Sequence, residues 1–176
     1  EQHGVTAIAD VRSQPTSRLP QFRRAALEQE LGDAGIEYVF LGRELGARRE
    51  EPQCYEGDCA AYERIAALPL FRRGIQRILD GTQRHRIALM CAEREPLDCH
   101  RTLLVCRQLR IEAVSIFHIL ADGQIEPHAG TEERLVQMIR NQRSLFDAEQ
   151  SASEWLERAY QERGKVIAYR RTANHA

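Results

Sequence analysis

The chain has 176 residues, a mass of 20.2 kDa, 25 basic against 26 acidic residues and a formal net charge of −1. A pI near 6.7 excludes a globally basic nucleic-acid coat, so any nucleic-acid surface must be a local patch. At 43% hydrophobic and 29% charged, the composition is that of a folded domain, long enough to bury about two-thirds of its unfolded surface without disulfides or metal.

Of the 25 basic residues, 24 are Arg and only Lys165 is Lys; there are also 21 Ala and two Asn. GC-rich codon usage accounts for that bias, so the placement of the Arg residues is more informative than their number. No apolar run is long enough to span a membrane, and Glu1-Gln-His-Gly4 has no signal-peptide layout. Five Cys at irregular spacing, with no export signal, fit a reducing compartment, and a cytoplasmic location is expected.

In chain order, the apolar stretch Val5–Val11 predicts a buried strand, and Arg12–Pro20, with two Pro, a loop. Phe22–Gly35 has Phe22, Ala26, Leu27 and Leu31 at helical spacing. Ile36–Leu41 predicts a second strand and Gly42–Gly57 a long charged loop, a length often tied to function. Asp58–Leu68 and Leu70–Thr82 predict helices separated by Pro69, and Arg86–Cys91 a third strand. After the loop Ala92–Asp98, Asp98 is placed to cap a helix from Cys99 to about Arg110. Ala113–Leu120 predicts a fourth strand, Asp122-Gly123 a turn, Gly130–Leu145 and Ser153–Gly164 helices, and Lys165–Tyr169 a last short strand. Near-continuous apolar strands alternating with helices predict an α/β fold with a mostly parallel sheet and helices on both faces, in a three-layer, Rossmann-like arrangement.

Right-handed crossovers would bring the loops after the strands to one edge, where open α/β sheets bind ligands. The expected ligand-binding set there is Asp10, Arg12, Ser13, Arg18, Gly42, Arg43, Gly46, Arg101 and His118. Arg48 and Arg49 follow the second strand too, and Asp122 and His128 the fourth. Arg forks suit phosphate or carboxylate oxygens. The reactive residue types are Cys91, Glu93, Cys99 and His100. A Cys99 thiol beside a helix start and two cations would have a lowered pKa. His100 suits general acid–base work, with Glu93 orienting it or serving as base.

Cys91, Cys99 and His100 are metal-ligand types, and Cys54 and Cys59 add more. No Cys-x-x-Cys pair exists and no structural zinc spacing is matched, so no metal is expected. Cys106, near Leu103 and Leu109, reads as core. The chain also lacks a dinucleotide fingerprint, a phosphate-loop lysine motif and a Gly-x-Ser-x-Gly elbow.

Asp10-Val-Arg-Ser13, Phe22 ahead of a helix, Gly35-Ile-Glu-Tyr38, Leu41-Gly-Arg-Glu-Leu-Gly46, Leu89-Met-Cys-Ala-Glu93 and Cys99-His-Arg101 occur in that order. With His118-Ile-Leu120, Asp122-Gly123 and His128, this set resembles the bacterial and archaeal domain-of-unknown-function family 488 over about residues 5–128. The resemblance implies a three-layer α/β domain with no settled activity. It also implies an additional N-terminal strand with a Thr-Ile-Gly-His-like motif. The chain begins at Glu1, inside the helix expected to follow that strand; if that segment is absent, the sheet loses a strand and the crevice a His and a Gly. Residues 1–128 are thus expected to form the α/β domain and 129–176 a helical extension, a candidate homodimer contact. Two functions follow as expectations: an enzyme acting on a nucleotide, nucleic-acid or other phosphorylated substrate, or a non-catalytic module binding nucleic acid or another anion. If the Arg and Glu residues instead form a surface ion-pair lattice, they contribute little to stability.

Overall fold

Three short apolar segments form the parallel sheet: β1 (Ala7–Asp10), β2 (Glu37–Phe40) and β5 (Ile87–Met90), in the order β2-β1-β5. Asp10 is paired with Phe40 on one side and Met90 on the other, so residues 11–13, 41–43 and 91–93 emerge side by side at one edge. This is a computed structural model, and it describes residues 2–141 and 151–171. The chain is a mixed α/β protein with seven α-helices among those residues.

The segments between the strands depart from expectation where local pairing competes with helix formation. α1 (Arg24–Asp33) begins after a 3-10 turn at Pro20–Phe22. It ends on Gly35 in the left-handed region, φ 70°, where the Ile36 N–H donates to the Leu31 carbonyl at 2.8 Å. The expected loop Gly42–Gly57 contains the short helix α2 (Gly42–Leu45) and a 3-10 turn at Pro52–Cys54. It also contains β3 (Tyr55–Glu56), which pairs antiparallel with β4 (Cys59–Ala60). That hairpin takes the first residues of the helix expected from Asp58 and leaves α3 as Tyr62–Ala67. Pro69 is the first residue of α4 (Pro69–Thr82), where its missing N–H costs nothing. Gly74 lets α4 pack closely on α2, since a Cβ there would lie 2.8 Å from Leu45.

After β5 the chain makes a 3-10 turn, Pro96–Asp98, then a wide π turn, Arg101–Cys106, continuing as α5 (Arg107–Leu109). Asp98 does not cap this helix: its carboxylate pairs with Arg163, while Cys99 Sγ accepts the Arg101 N–H and the Glu95 side chain caps the preceding 3-10 turn. The expected fourth strand does not join the parallel sheet. Its residues form β6 (Phe117–Ile119), hydrogen-bonded antiparallel to β7 (Ile125–Pro127) through the Asp122-Gly123 turn. Only His118 of β6 is buried while Phe117 and Ile119 are exposed, a one-faced pattern unlike that of a strand covered on both faces. A cavity of about 600 Å³, lined by Ile87, Leu89 and Phe117 among others, lies between β5 and β6.

The C-terminal segment supplies α6 (His128–Arg140) and α7 (Ala152–Ile167), the latter begun by a reciprocal Ser151–Glu154 capping box. Residues 142–145, expected to continue α6, lie outside the described residues. Of the short strand expected at Lys165–Tyr169, the first three residues end α7, and the chain beyond only touches β4, through the Ala60 N–H to the Tyr169 carbonyl and the Cys59–Arg170 bridge. The buried series Trp155, Ala159, Tyr160 and Gly164 explains the longer helix. Trp155 and Tyr160 are fully buried in the same core as Phe71, Leu103, Leu104 and Val105. No described helix is long and apolar enough to cross a membrane.

Candidate functional site

Because β1 and β5 run parallel and in register, the chain leaving β1 at Val11 lies beside the chain leaving β5 at Cys91. A cavity of about 400 Å³ opens between these exits. Arg12, Ser13, Gln14 and Thr16 line it from the first loop and Cys91, Glu93 and His100 from the third. Ala47 and Arg48 come from the segment after α2, Tyr62 from α3, and Ile167 and Tyr169 from the end of α7.

Four reactive side chains converge here. Cys91 Sγ lies 2.7 Å from Glu93 Oε2 and 3.3 Å from His100 Nδ1. Cys99 Sγ lies 3.4 Å from the same Glu93 oxygen. His100 donates its Nε2 proton to the Val11 carbonyl at 3.0 Å, because a carbonyl only accepts, and so Nδ1 points at Cys91. Glu93 therefore engages the two sulfurs, while the backbone of the neighbouring strand exit orients the imidazole. Cys99 sits at the helix start as expected. Its backbone is extended (φ −127°, ψ 134°), its carbonyl accepts the Leu103 N–H at 3.1 Å, and its sulfur accepts the Arg101 N–H at 3.3 Å and faces the Glu93 carboxylate.

The electrostatics follow from this crowding. The Cys99 thiol, and then burial, push the Cys91 thiol far above its ordinary range. Burial works against the Glu93 carboxylate, but hydrogen bonds from Cys91, its own backbone and Cys99 outweigh it, and its pKa falls. Burial likewise opposes the His100 cation, but Cys91, the Val11 carbonyl and Glu93 outweigh it and raise its pKa.

The expected binding residues divide into three groups. Arg12 and Ser13 line the cavity. Asp10, Gly42 and Gly46 shape it from behind. Asp10 is fully buried and accepts from the Arg12 backbone N–H, Nε and Nη2 and from the Tyr38 hydroxyl, so it holds Arg12 rather than facing the cavity. A Cβ at Gly42 would lie 1.9 Å from the Arg12 carbonyl, and one at Gly46 2.4 Å from Ser13 Oγ, so only glycine lets α2 approach the first loop. Ser13 Oγ accepts the Arg48 N–H at 2.9 Å and ties the two loops together.

The third group lies elsewhere. Arg18 and Arg43 are exposed and do not line the cavity. Arg101 and His118 line the separate cavity beside β5, which follows from β6 having left the sheet. His118 Nε2 is 2.8 Å from His128 Nδ1, and Tyr160 links His128 to Glu132. Burial, His128 and Arg101 lower the pKa of His118 to about 4.

Arg48 is the cavity residue that strand-end counting did not separate from its neighbours. It stacks over the Tyr169 ring, 4.8 Å to the centroid, and has no carboxylate partner among the described residues. Neighbouring Arg49 is instead buried against the carbonyls of Arg43 and Glu44. Tyr169 and Ile167 carry no local signal, since only the return of α7 brings them to the first loop.

An α/β protein with a thiol–carboxylate–imidazole cluster at the carboxyl edge of a parallel sheet is the class defined by fold and site. The family described as Domain of unknown function DUF488 matches residues 1–107, and the chain belongs to that family. All four clustered side chains fall inside the matched region, whereas His118, Asp122 and His128 fall outside it. No curated protein and no solved structure matches the chain.

Proposed function

We propose that the chain is an enzyme acting on an anionic substrate (a nucleotide, a nucleic-acid end or another phosphorylated compound) held in the cavity between the β1 and β5 exits. The observation that carries this reading is the convergence of Cys91, Glu93, Cys99 and His100, of which Cys91, Glu93 and His100 line a cavity that also contains Arg48, a cation with no carboxylate partner among the described residues. Arg48 supplies the anion contact, with Ser13, Thr16 and the remaining N–H groups of Arg12 beside it. Glu93, the exposed member of the cluster, is the proton acceptor, and its lowered pKa keeps it ionised. The Asp10–Arg12 pair and the two close-packed glycines hold the first loop against α2, and the His100–Val11 hydrogen bond ties it to the third loop.

The test is a turnover screen of the full chain against nucleotides, phosphorylated oligonucleotides and sugar phosphates. Glu93→Gln is expected to lower the rate by about 10²–10⁴-fold. Arg48→Ala is expected to raise KM by roughly tenfold, the value of one charge-assisted hydrogen bond, with kcat little changed. Binding without turnover, steeply salt-dependent and indifferent to Glu93→Gln, would instead identify a non-catalytic anion-binding module.

A further inference from the structure

We propose that Cys91, Glu93, Cys99 and His100 form a zinc site, a role that the spacing of these residues along the chain does not announce. Their donor atoms, two Sγ, one carboxylate oxygen and one imidazole nitrogen, all lie within 4.8 Å of one another. Zinc bonds of about 2.0–2.3 Å in a tetrahedron place neighbouring donors roughly 3.3–3.8 Å apart. Cys91 Sγ to His100 Nδ1 is 3.3 Å and Cys99 Sγ to Glu93 Oε2 is 3.4 Å, both at that spacing. The Cys91–Glu93 distance of 2.7 Å is below that spacing, so these two donors must move apart by roughly 0.6 Å or more to hold an ion between them.

The surroundings suit the ion as well as the donors do. His100 is held by the Val11 carbonyl through Nε2–H, which fixes the tautomer that leaves the Nδ1 lone pair for a metal. The Arg101 N–H donates to Cys99 Sγ at 3.3 Å and fixes the position of that sulfur. The π turn starting at Arg101 follows directly on the last ligand, and such wide turns are frequent at functional sites. Two soft sulfurs and an imidazole select zinc over magnesium or calcium, which take oxygen ligands. Binding releases two thiol protons. Two thiolates and one carboxylate then bring three negative charges, of which the ion cancels two. Cys99 and His100 are buried, whereas Glu93 is exposed at the cavity wall, so Glu93 is the ligand open to exchange with solvent or substrate. The inference rests on the reading of these four groups as the reacting centre. It deepens that reading by making the sulfurs ligands while Glu93 keeps the cavity-facing position.

The experiment is metal analysis of the full chain purified with zinc and dialysed, followed by alkylation of its thiols and mass-spectrometric mapping. About one zinc per chain is expected, falling below roughly a tenth in Cys91→Ser and in His100→Ala. In the unmodified protein, zinc is expected to protect the half-buried Cys91 from alkylation and a chelator to restore its reactivity. Cys59, half-buried and distant along the chain, is the internal control and should be indifferent to both. This mapping needs no variant to fold. Substoichiometric zinc after loading, or protection of Cys59 equal to that of Cys91, would overturn the proposal. Turnover by the zinc-free chain would overturn the ion and leave the reacting centre standing. Tight zinc with no turnover on any phosphorylated compound, and no effect of such compounds on it, would support the ion and remove the enzyme reading.

Discussion

Two groups of polar side chains stand in this fold, and they are built on opposite rules. In the first, Cys91, Glu93, Cys99 and His100 turn lone pairs toward a common point beside an open cavity. In the second, donors and acceptors alternate. Tyr160 donates its hydroxyl proton to Glu132, so its oxygen accepts from His128 Nε2–H, and His128 Nδ1 accepts from His118 Nε2–H. Each internal polar atom of the second chain has its partner, and the chain clamps β6 to α6 and α7. The first group has more acceptors than protons to share among them. A satisfied chain stabilises and specifies packing, whereas a crowd of acceptors invites a proton, a substrate or a cation.

Exchanging the charge of one carboxylate in each group gives the largest expected contrast. Glu93→Gln should lower turnover by about 10²–10⁴-fold with little change in melting temperature. Glu132→Gln keeps an oxygen to accept from Tyr160 and loses the pairings with Arg110 and His128. It should leave turnover unchanged and cost about 1 kcal/mol of stability or less. Steady-state kinetics and thermal melts on both variants decide the matter. Equal losses of activity would erase the distinction between the groups.

An acid-stability profile comes next in size. Burial, His128 and Arg101 depress His118 to about 4, with Arg134 adding to the effect and Glu126 opposing it. Burial and Arg110 depress His128, with Glu132 opposing. Above pH 6.5 these imidazoles are neutral in both folded and unfolded chains, and their contribution to stability is fully present. As pH falls from 6.5 toward 4, the unfolded chain takes up protons that the folded chain refuses, and stability is lost across that window. The loss from His118 should not exceed about 3 kcal/mol, on a scale of about 1.4 kcal/mol per pKa unit. Urea midpoints measured from pH 7.5 to 4 should show the decline, and His118→Gln should flatten it. An equal slope in that variant would place the acid sensitivity elsewhere.

How far each group can be read from the chain depends on locality. The four clustered residues lie within ten positions, Cys91 to His100, and follow a short apolar strand, so their convergence at a sheet edge is legible. Their metal-binding potential is not, because the donors come from a strand exit, a loop and a helix start rather than from a knuckle of regular spacing. Asp10 and Arg12, two apart on an extended segment, share a face and pair, which turns an expected ligand contact into a support. Arg48 and Tyr169 lie 121 positions apart, and only packing of α7 onto the core brings them together. His118 lies in a segment, Ala113–Leu120, that is as apolar as β5. What separates them is which partner supplies the hydrogen bonds, and the Asp122-Gly123 turn offers β6 a local one in β7.

Tyr160→Phe isolates the second group most cleanly. The ring is fully buried, with Arg107 and Arg110 stacked over it at 5.2 and 5.4 Å, and Phe preserves that packing. What is lost is one oxygen joining two partners. Glu132 retains its ion pair with Arg110, but the His128 Nε2–H is left with only the more distant Glu132 oxygen, 3.6 Å away. That partial substitute places the cost at about 1–2 kcal/mol, below that of a fully orphaned buried donor. The urea midpoint should fall with an unchanged denaturant slope, since the surface exposed on unfolding is the same. Turnover and zinc content should stay at the level of the unmodified chain, because none of the four clustered side chains touches Tyr160. A fall in zinc content or turnover at unchanged stability would show the two groups to be coupled through the π turn, on which both α7 and the cluster pack.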